Sequence, residues 1–106
     1  MVDMNNIVEQ ISFIKEKLSE LQDELEKITV EGTDSEEMIT AVVSGKGKIK
    51  DYQFNLTQMG GLNRDKLIKA VVEATNNGLQ AAKELEASRK KEIVDKIDIP
   101  NIPGLF

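Results

Sequence analysis

The chain has 106 residues, no cysteine, no histidine and a formal net charge of −5, and its length suits one domain, residues 1–106, with a single modest core. Without thiols or imidazoles it has no route to disulfides, thiolate nucleophiles or the usual transition-metal sites, and catalysis loses its commonest base. The opening Met1-Val2-Asp3-Met4 lacks a basic lead into an apolar run, and no stretch approaches the roughly 18 apolar residues of a membrane span, so a soluble cytosolic protein is expected.

Met4, Ile7, Ile11, Ile14, Leu18, Leu21, Leu25 and Ile28 follow one another at alternating spacings of three and four residues. That spacing predicts a first helix over about 4–27, with Asn6 and Glu9 at capping-box distance. Its apolar stripe is narrow because Gln10, Lys15, Lys17, Gln22 and Glu24 flank it. A narrow stripe suits a partner helix, such as one from a second copy, and an amphipathic helix lying on its own sheet fits equally well.

Ile28-Thr29-Val30 switches to β-branched residues, so Ile28 either closes the stripe or opens a strand over about 28–32. The polar stretch 31–37 is a loop. Met38 to Ser44 reads as a second strand over 38–44. Gly45-Lys46-Gly47-Lys48 is a turn, after which Tyr52, Phe54 and Leu56 alternate with Asp51, Gln53 and Asn55. That alternation predicts a third strand over about 48–56 with one buried face.

Met59-Gly60-Gly61 breaks the pattern, and Asn63 caps a second helix. Leu67, Ile68, Val71, Val72, Thr75, Leu79, Ala82 and Leu85 form its broad inner face. Asn77-Gly78 is a turn signal inside this periodicity; we read the helix as unbroken, with Gly78 permitting a close backbone approach at a cost of about 1 kcal/mol against Ala. Over 63–97 the helix would run about 50 Å, overhanging any compact body. The prolines at 100 and 103 end it, leaving an extended tail over 98–106. The order α-β-β-β-α is an α+β class with a small antiparallel meander between long N- and C-terminal helices.

Gly45-Lys46-Gly47-Lys48 lacks the phosphate-loop pattern and joins two strands, so it reads as a solvated turn. Asp34, Glu36 and Glu37 lack the glycine and distal glutamate of a calcium loop. Ser12, Ser19 and Ser44 have no histidine to activate them. Neither an enzyme, a metal, a cofactor nor a small-molecule substrate is expected.

Charge is unevenly placed: residues 1–45 hold eleven acids and three bases, residues 46–106 eleven bases and eight acids. Polyanion contacts therefore belong to clusters in the back half. The densest is Arg89-Lys90-Lys91, with Lys83 before and Lys96 after, and such residues suit phosphate contacts that position a protein without reading bases. Glu84, Glu86, Glu92 and Asp95 interleave, so an ordinary helix laced with ion pairs is the competing reading. Lys46, Lys48 and Lys50 form a second patch, unless Asp51 and the acidic hairpin neutralise it.

Glu31-Gly32-Thr33, Met38-Ile39-Thr40, Ser44-Gly45, Ala74-Thr75-Asn76 and the terminal Pro103-Gly104-Leu105-Phe106, in this order and spacing, resemble the YbaB/EbfC family of bacterial nucleoid-associated proteins over essentially the whole chain. The resemblance implies an intimate homodimer with long projecting helices. It also implies cytoplasmic, nucleoid-associated binding of double-stranded DNA with weak sequence specificity, through basic residues on those helices. Lys83, Arg89, Lys90, Lys91 and Lys96 are the matching candidates, and Ile7, Ile11, Ile14, Leu18, Leu21 and Leu25 the assembly seam. Many relatives carry a glycine-rich stretch where this chain has Asp34-Ser35-Glu36-Glu37, and a Met-, Gln- and Lys-rich first helix where residues 3–27 here hold seven acids and three bases. The alternative is a protein-interaction or scaffold dimer with little or no DNA affinity.

Overall fold

A computed structural model describes residues 4–96. In chain order these form α1 (Met4–Lys27), β1 (Thr29–Thr33), β2 (Ile39–Ser44), β3 (Ile49–Phe54), a short 3-10 turn (Leu56–Gln58) and α2 (Arg64–Lys96). The fold is α+β, with a three-stranded antiparallel sheet in the order β1-β2-β3 set between two long helices. The last helical position expected, residue 97, and the extended tail 98–106 lie outside the described residues.

Ile28 belongs to neither neighbour. Its amide donates to the Glu24 carbonyl at 3.1 Å, completing the last turn of α1, and its carbonyl accepts from Gly45 at 2.9 Å. The strand therefore begins at Thr29, one residue later than the β-branched run suggests. The same run of hydrogen bonds ties the end of α1 to the β2–β3 turn.

Between β1 and β2 the acidic tip is an ordered turn. The Asp34 carboxylate is buried, and its Oδ1 accepts the amides of Met38 at 2.8 Å and Ile39 at 2.7 Å while Oδ2 accepts that of Glu36 at 3.2 Å. These bonds satisfy donors that the tight turn would orphan. Glu37 takes a left-handed φ of 56° to close it.

The third strand departs from its expected packing. Tyr52 is partly buried, but Phe54 is 53% exposed and Leu56, beyond the strand in the 3-10 turn, is 81% exposed. The alternation marks a real apolar side, yet α2 packs across β1 and β2 and leaves β3, one of the two sheet edges, largely uncovered. Tyr52 is the main bridge from β3 to α2, its hydroxyl 2.7 Å from Thr75 Oγ1. Thr75 gives its one hydroxyl proton to the Val71 carbonyl at 2.6 Å, so the tyrosine is the donor between them.

α2 runs unbroken through Asn77 and Gly78, opened by Asn63, whose Oδ1 accepts the Lys66 amide at 2.9 Å. The face it buries overlaps the broad one expected, Ala82 being buried and Leu67, Val71 and Leu79 packing against the core, but it is centred elsewhere. Ala70, Ala74, Gly78 and Ala82, each four residues apart, meet the sheet, while Ile68 and Val72 remain about half exposed at 49% and 53%. The reason is proximity: a Cβ on Gly32 of β1 would lie 2.5 Å from the Ala74 carbonyl oxygen and would strike the Gly78 nitrogen. Only residues with little or no side chain fit a helix so close to a strand, and the larger aliphatics are displaced to its flanks.

Candidate nucleic-acid interface

The seam on α1 divides. Ile14, Leu21 and Leu25 are buried within this one chain, whereas Ile7, Ile11 and Leu18 are half-buried. The C-terminal half of α1 meets α2 and β2, and Leu25 fills the space beside Gly45, where an added Cβ would come within 2.8 Å of a Leu25 methyl. Much of the seam thus finds its partner in the same chain.

Among the described residues, one stretch of exposed apolar surface lies along the open side of β3. Ile49, Phe54 and Leu56 are exposed there. Ile68 and Val72 are exposed on the same α2 face as Thr75, at four- and three-residue steps. The Tyr52–Thr75 bond joins these two rows into one surface. On α1, Val8 and Phe13 are also exposed, with the Lys17 ammonium 5.3 Å from the Phe13 ring centre.

The five basic candidates of α2 fall in different places. Arg89 pairs with Glu92 at 3.7 Å, and Lys90 with Glu86 at 3.1 Å. Arg89 and Lys96 line a groove between the helices, shared with Lys17, Glu20, Glu24 and Glu92. Lys91 is exposed. Lys83 lies beside the β2–β3 turn, lining a depression with Gly45, Lys46, Gly47 and Glu86. Among the described residues Lys83, Lys91 and Lys96 make no ion pair. The consecutive cluster is therefore partly neutralised by its own helix neighbours.

The second patch is larger than its sequence run. Lys27, Lys46, Lys48 and Lys50 surround one open depression with Glu26 and Ser44. Lys27 escaped the linear reading because it is some twenty positions away in sequence; the signal was the short link through Ile28, which brings the end of α1 to the turn. All of this chemistry is ionic and exposed. Ser44 is buried and its Oγ accepts the Lys48 amide at 3.1 Å, so it serves the turn.

No described helix is long and apolar enough to cross a membrane. A family model described as the YbaB/EbfC DNA-binding family matches residues 1–97. The chain is 32% identical over 104 residues to the nucleoid-associated protein TTE0040 of Caldanaerobacter subterraneus subsp. tengcongensis, covering 98% of this chain and 91% of that one. To a nucleoid-associated protein of Syntrophobacter fumaroxidans it is 28% identical over 103 residues, covering 95% and 94%. The crystal structure of the uncharacterized protein HP0035 from Helicobacter pylori superimposes with a TM-score of 0.72 at 15% identity, covering 89% of this chain and 99% of that one, a likeness of fold.

Proposed function

Since the chain belongs to the YbaB/EbfC DNA-binding family, we propose that it is a non-enzymatic, nucleoid-associated protein of the cytoplasm that binds double-stranded DNA as a homodimer. The observation that carries this reading is the family match across residues 1–97, which takes in every described element. The binding is of low sequence specificity and made through phosphates, contacts to which the exposed lysines and arginines supply charge without carrying sequence information. Lys83, Arg89, Lys90, Lys91 and Lys96 on α2 contribute contacts. Pairing two chains doubles the cations available and offsets the negative net charge. The exposed apolar surface around Tyr52 and Thr75 supports the dimer, since a patch of that kind on a small soluble protein marks an interface.

A labelled random-sequence duplex, titrated with the protein at low and at physiological salt, tests the reading. Retardation that weakens steeply with salt is expected; no retardation at either salt overturns it. The second reading, a scaffold dimer with little DNA affinity, is favoured by the Arg89–Glu92 and Lys90–Glu86 pairs, and it predicts a dimer that leaves the duplex unshifted.

A further inference from the structure

We infer that the β2–β3 turn is the principal phosphate-binding platform of this protein, formed by Lys46, Lys48 and Lys50 with Lys27 and Lys83 brought in from the two helices. The inference rests on the DNA-binding reading above and places its main contacts away from the consecutive basic run of α2.

Three observations carry it. The first is convergence. Lys27, Lys46, Lys48 and Lys50 ring one open depression, and Lys46 shares the adjoining one with Lys83. The end of α1, the turn, the start of β3 and the middle of α2 therefore bring five lysines together at one end of the molecule, around two adjoining depressions joined by Lys46. The residue Lys50 is the extra one at a bulge, since Val42 pairs with Asp51 and Val43 with Ile49.

The second is the whereabouts of the acids. The tip Asp34, Glu36 and Glu37 joins β1 to β2, whereas the lysines join β2 to β3, so six residues of strand hold the two turns about 20 Å apart. That exceeds a Debye length of about 8 Å at physiological salt, so the acidic tip does not neutralise the lysines. Asp51 stands in one row with Val42 and Glu31. Adjacent residues on a strand point to opposite faces, and the neighbours of Val42, Ala41 and Val43, are the ones buried in the core against α2; the Asp51 row therefore faces away from α2, as Ser44 does, but Asp51 lines neither depression. The carboxylates at the depressions themselves are Glu26, 3.5 Å from Lys46, and Glu86, already paired with Lys90. Among the described residues Lys27, Lys48, Lys50 and Lys83 make no ion pair.

The third is a stiff mount with an open tip. Ser44 N–H donates to the Lys48 carbonyl at 2.8 Å, Gly47 N–H to the Ser44 carbonyl at 2.8 Å, and Gly45 N–H to the Ile28 carbonyl at 2.9 Å. Gly47 sits at φ +87° with nothing within 4 Å of where a Cβ would stand. A rod of phosphates can therefore approach the turn closely, and little backbone must be ordered when it does.

The test is anisotropy of a labelled random duplex across a salt series, comparing the full chain with two triple variants. One is Lys46→Ala, Lys48→Ala, Lys50→Ala; the other is Arg89→Ala, Lys90→Ala, Lys91→Ala. The turn variant is expected to bind at least about tenfold more weakly at physiological salt, with a salt slope flatter by about one for each lysine removed, and the α2 variant to lose less on both measures. A turn variant that keeps the wild-type affinity and slope overturns the platform while leaving the DNA-binding reading intact. Wild-type protein that binds at no salt overturns both. Circular dichroism accompanies each variant, and if the triple change unfolds the chain, Lys48→Glu and Lys83→Glu made singly decide the matter in the same way.

Discussion

Gly32 of β1 and Gly78 of α2 meet backbone to backbone, with no side chain between strand and helix: the Cβ that any other residue would add at Gly32 falls on the Gly78 nitrogen and 2.6 Å from the Asn77 carbonyl carbon. These are main-chain atoms and do not move aside as a flexible side chain does. Gly32→Ala is therefore expected to cost about 3 kcal/mol or more, lifting the helix from the sheet. Gly78→Ala meets a softer neighbour, the Val43 Cγ2 methyl at 2.7 Å, and recovers about 1 kcal/mol of helix propensity. A net loss of roughly 1 kcal/mol is expected there. Urea unfolding followed by circular dichroism ranks the two, and Gly78→Ala proving the worse would refute the close contact as drawn.

Asp34 gives a sharper chemical contrast. One oxygen, Oδ1, accepts both the Met38 and Ile39 amides, so Asp34→Asn keeps an acceptor at the position that matters. Asp34→Ala removes the acceptor of three amides, the two on Oδ1 buried, and is expected to cost about 2–3 kcal/mol, the asparagine about 1 kcal/mol. Equal losses in thermal unfolding would mean that the carboxylate contributes through charge and not through this turn.

The apolar surface beside β3 predicts how the chain assembles. Phe54 is exposed in the single chain, so Phe54→Lys leaves the protomer's own core intact while placing a charge at the proposed interface. Light scattering at micromolar concentration is expected to move from a dimer mass toward 11.8 kDa, with helix content unchanged. A variant that stays dimeric locates the interface elsewhere, the exposed Val8 and Phe13 of α1 being the next surface to alter.

Element order was legible because period is a local property: the three-four stripe of α1 and the mostly β-branched Ile39–Val43 run declare themselves from neighbouring residues. Which faces are covered was not. Tyr52, Phe54 and Leu56 alternate as a half-buried strand should, but coverage depends on where α2 lies, and that is set by Gly32 far along the chain from the residues it governs. The same holds for charge. Arg89-Lys90-Lys91 looks strongest in sequence because its members are adjacent, yet on a helix adjacent residues diverge while Glu86 and Glu92 fall three or four positions away, within pairing distance. Lys27 and Lys83 are remote in sequence from the turn lysines and join them only through the fold.

Those helix pairs make a prediction whose sign separates structural from DNA-contacting roles. If Arg89 and Lys90 reach phosphates, each must give up its carboxylate partner first, and Arg89–Glu92 and Lys90–Glu86 are exposed enough, with the basic side chains about two-fifths accessible at 42% and 40%, for each pair to be worth only about 0.2–1 kcal/mol. Glu86→Gln and Glu92→Gln together should therefore tighten DNA binding by severalfold, since about 1.4 kcal/mol is a factor of ten, and should steepen the salt dependence by up to about two contacts per chain. Glutamine keeps length and helix propensity close to those of glutamate, so the helix itself is not expected to weaken. Unchanged affinity and slope in the same anisotropy assay would show that Arg89 and Lys90 serve the helix surface alone.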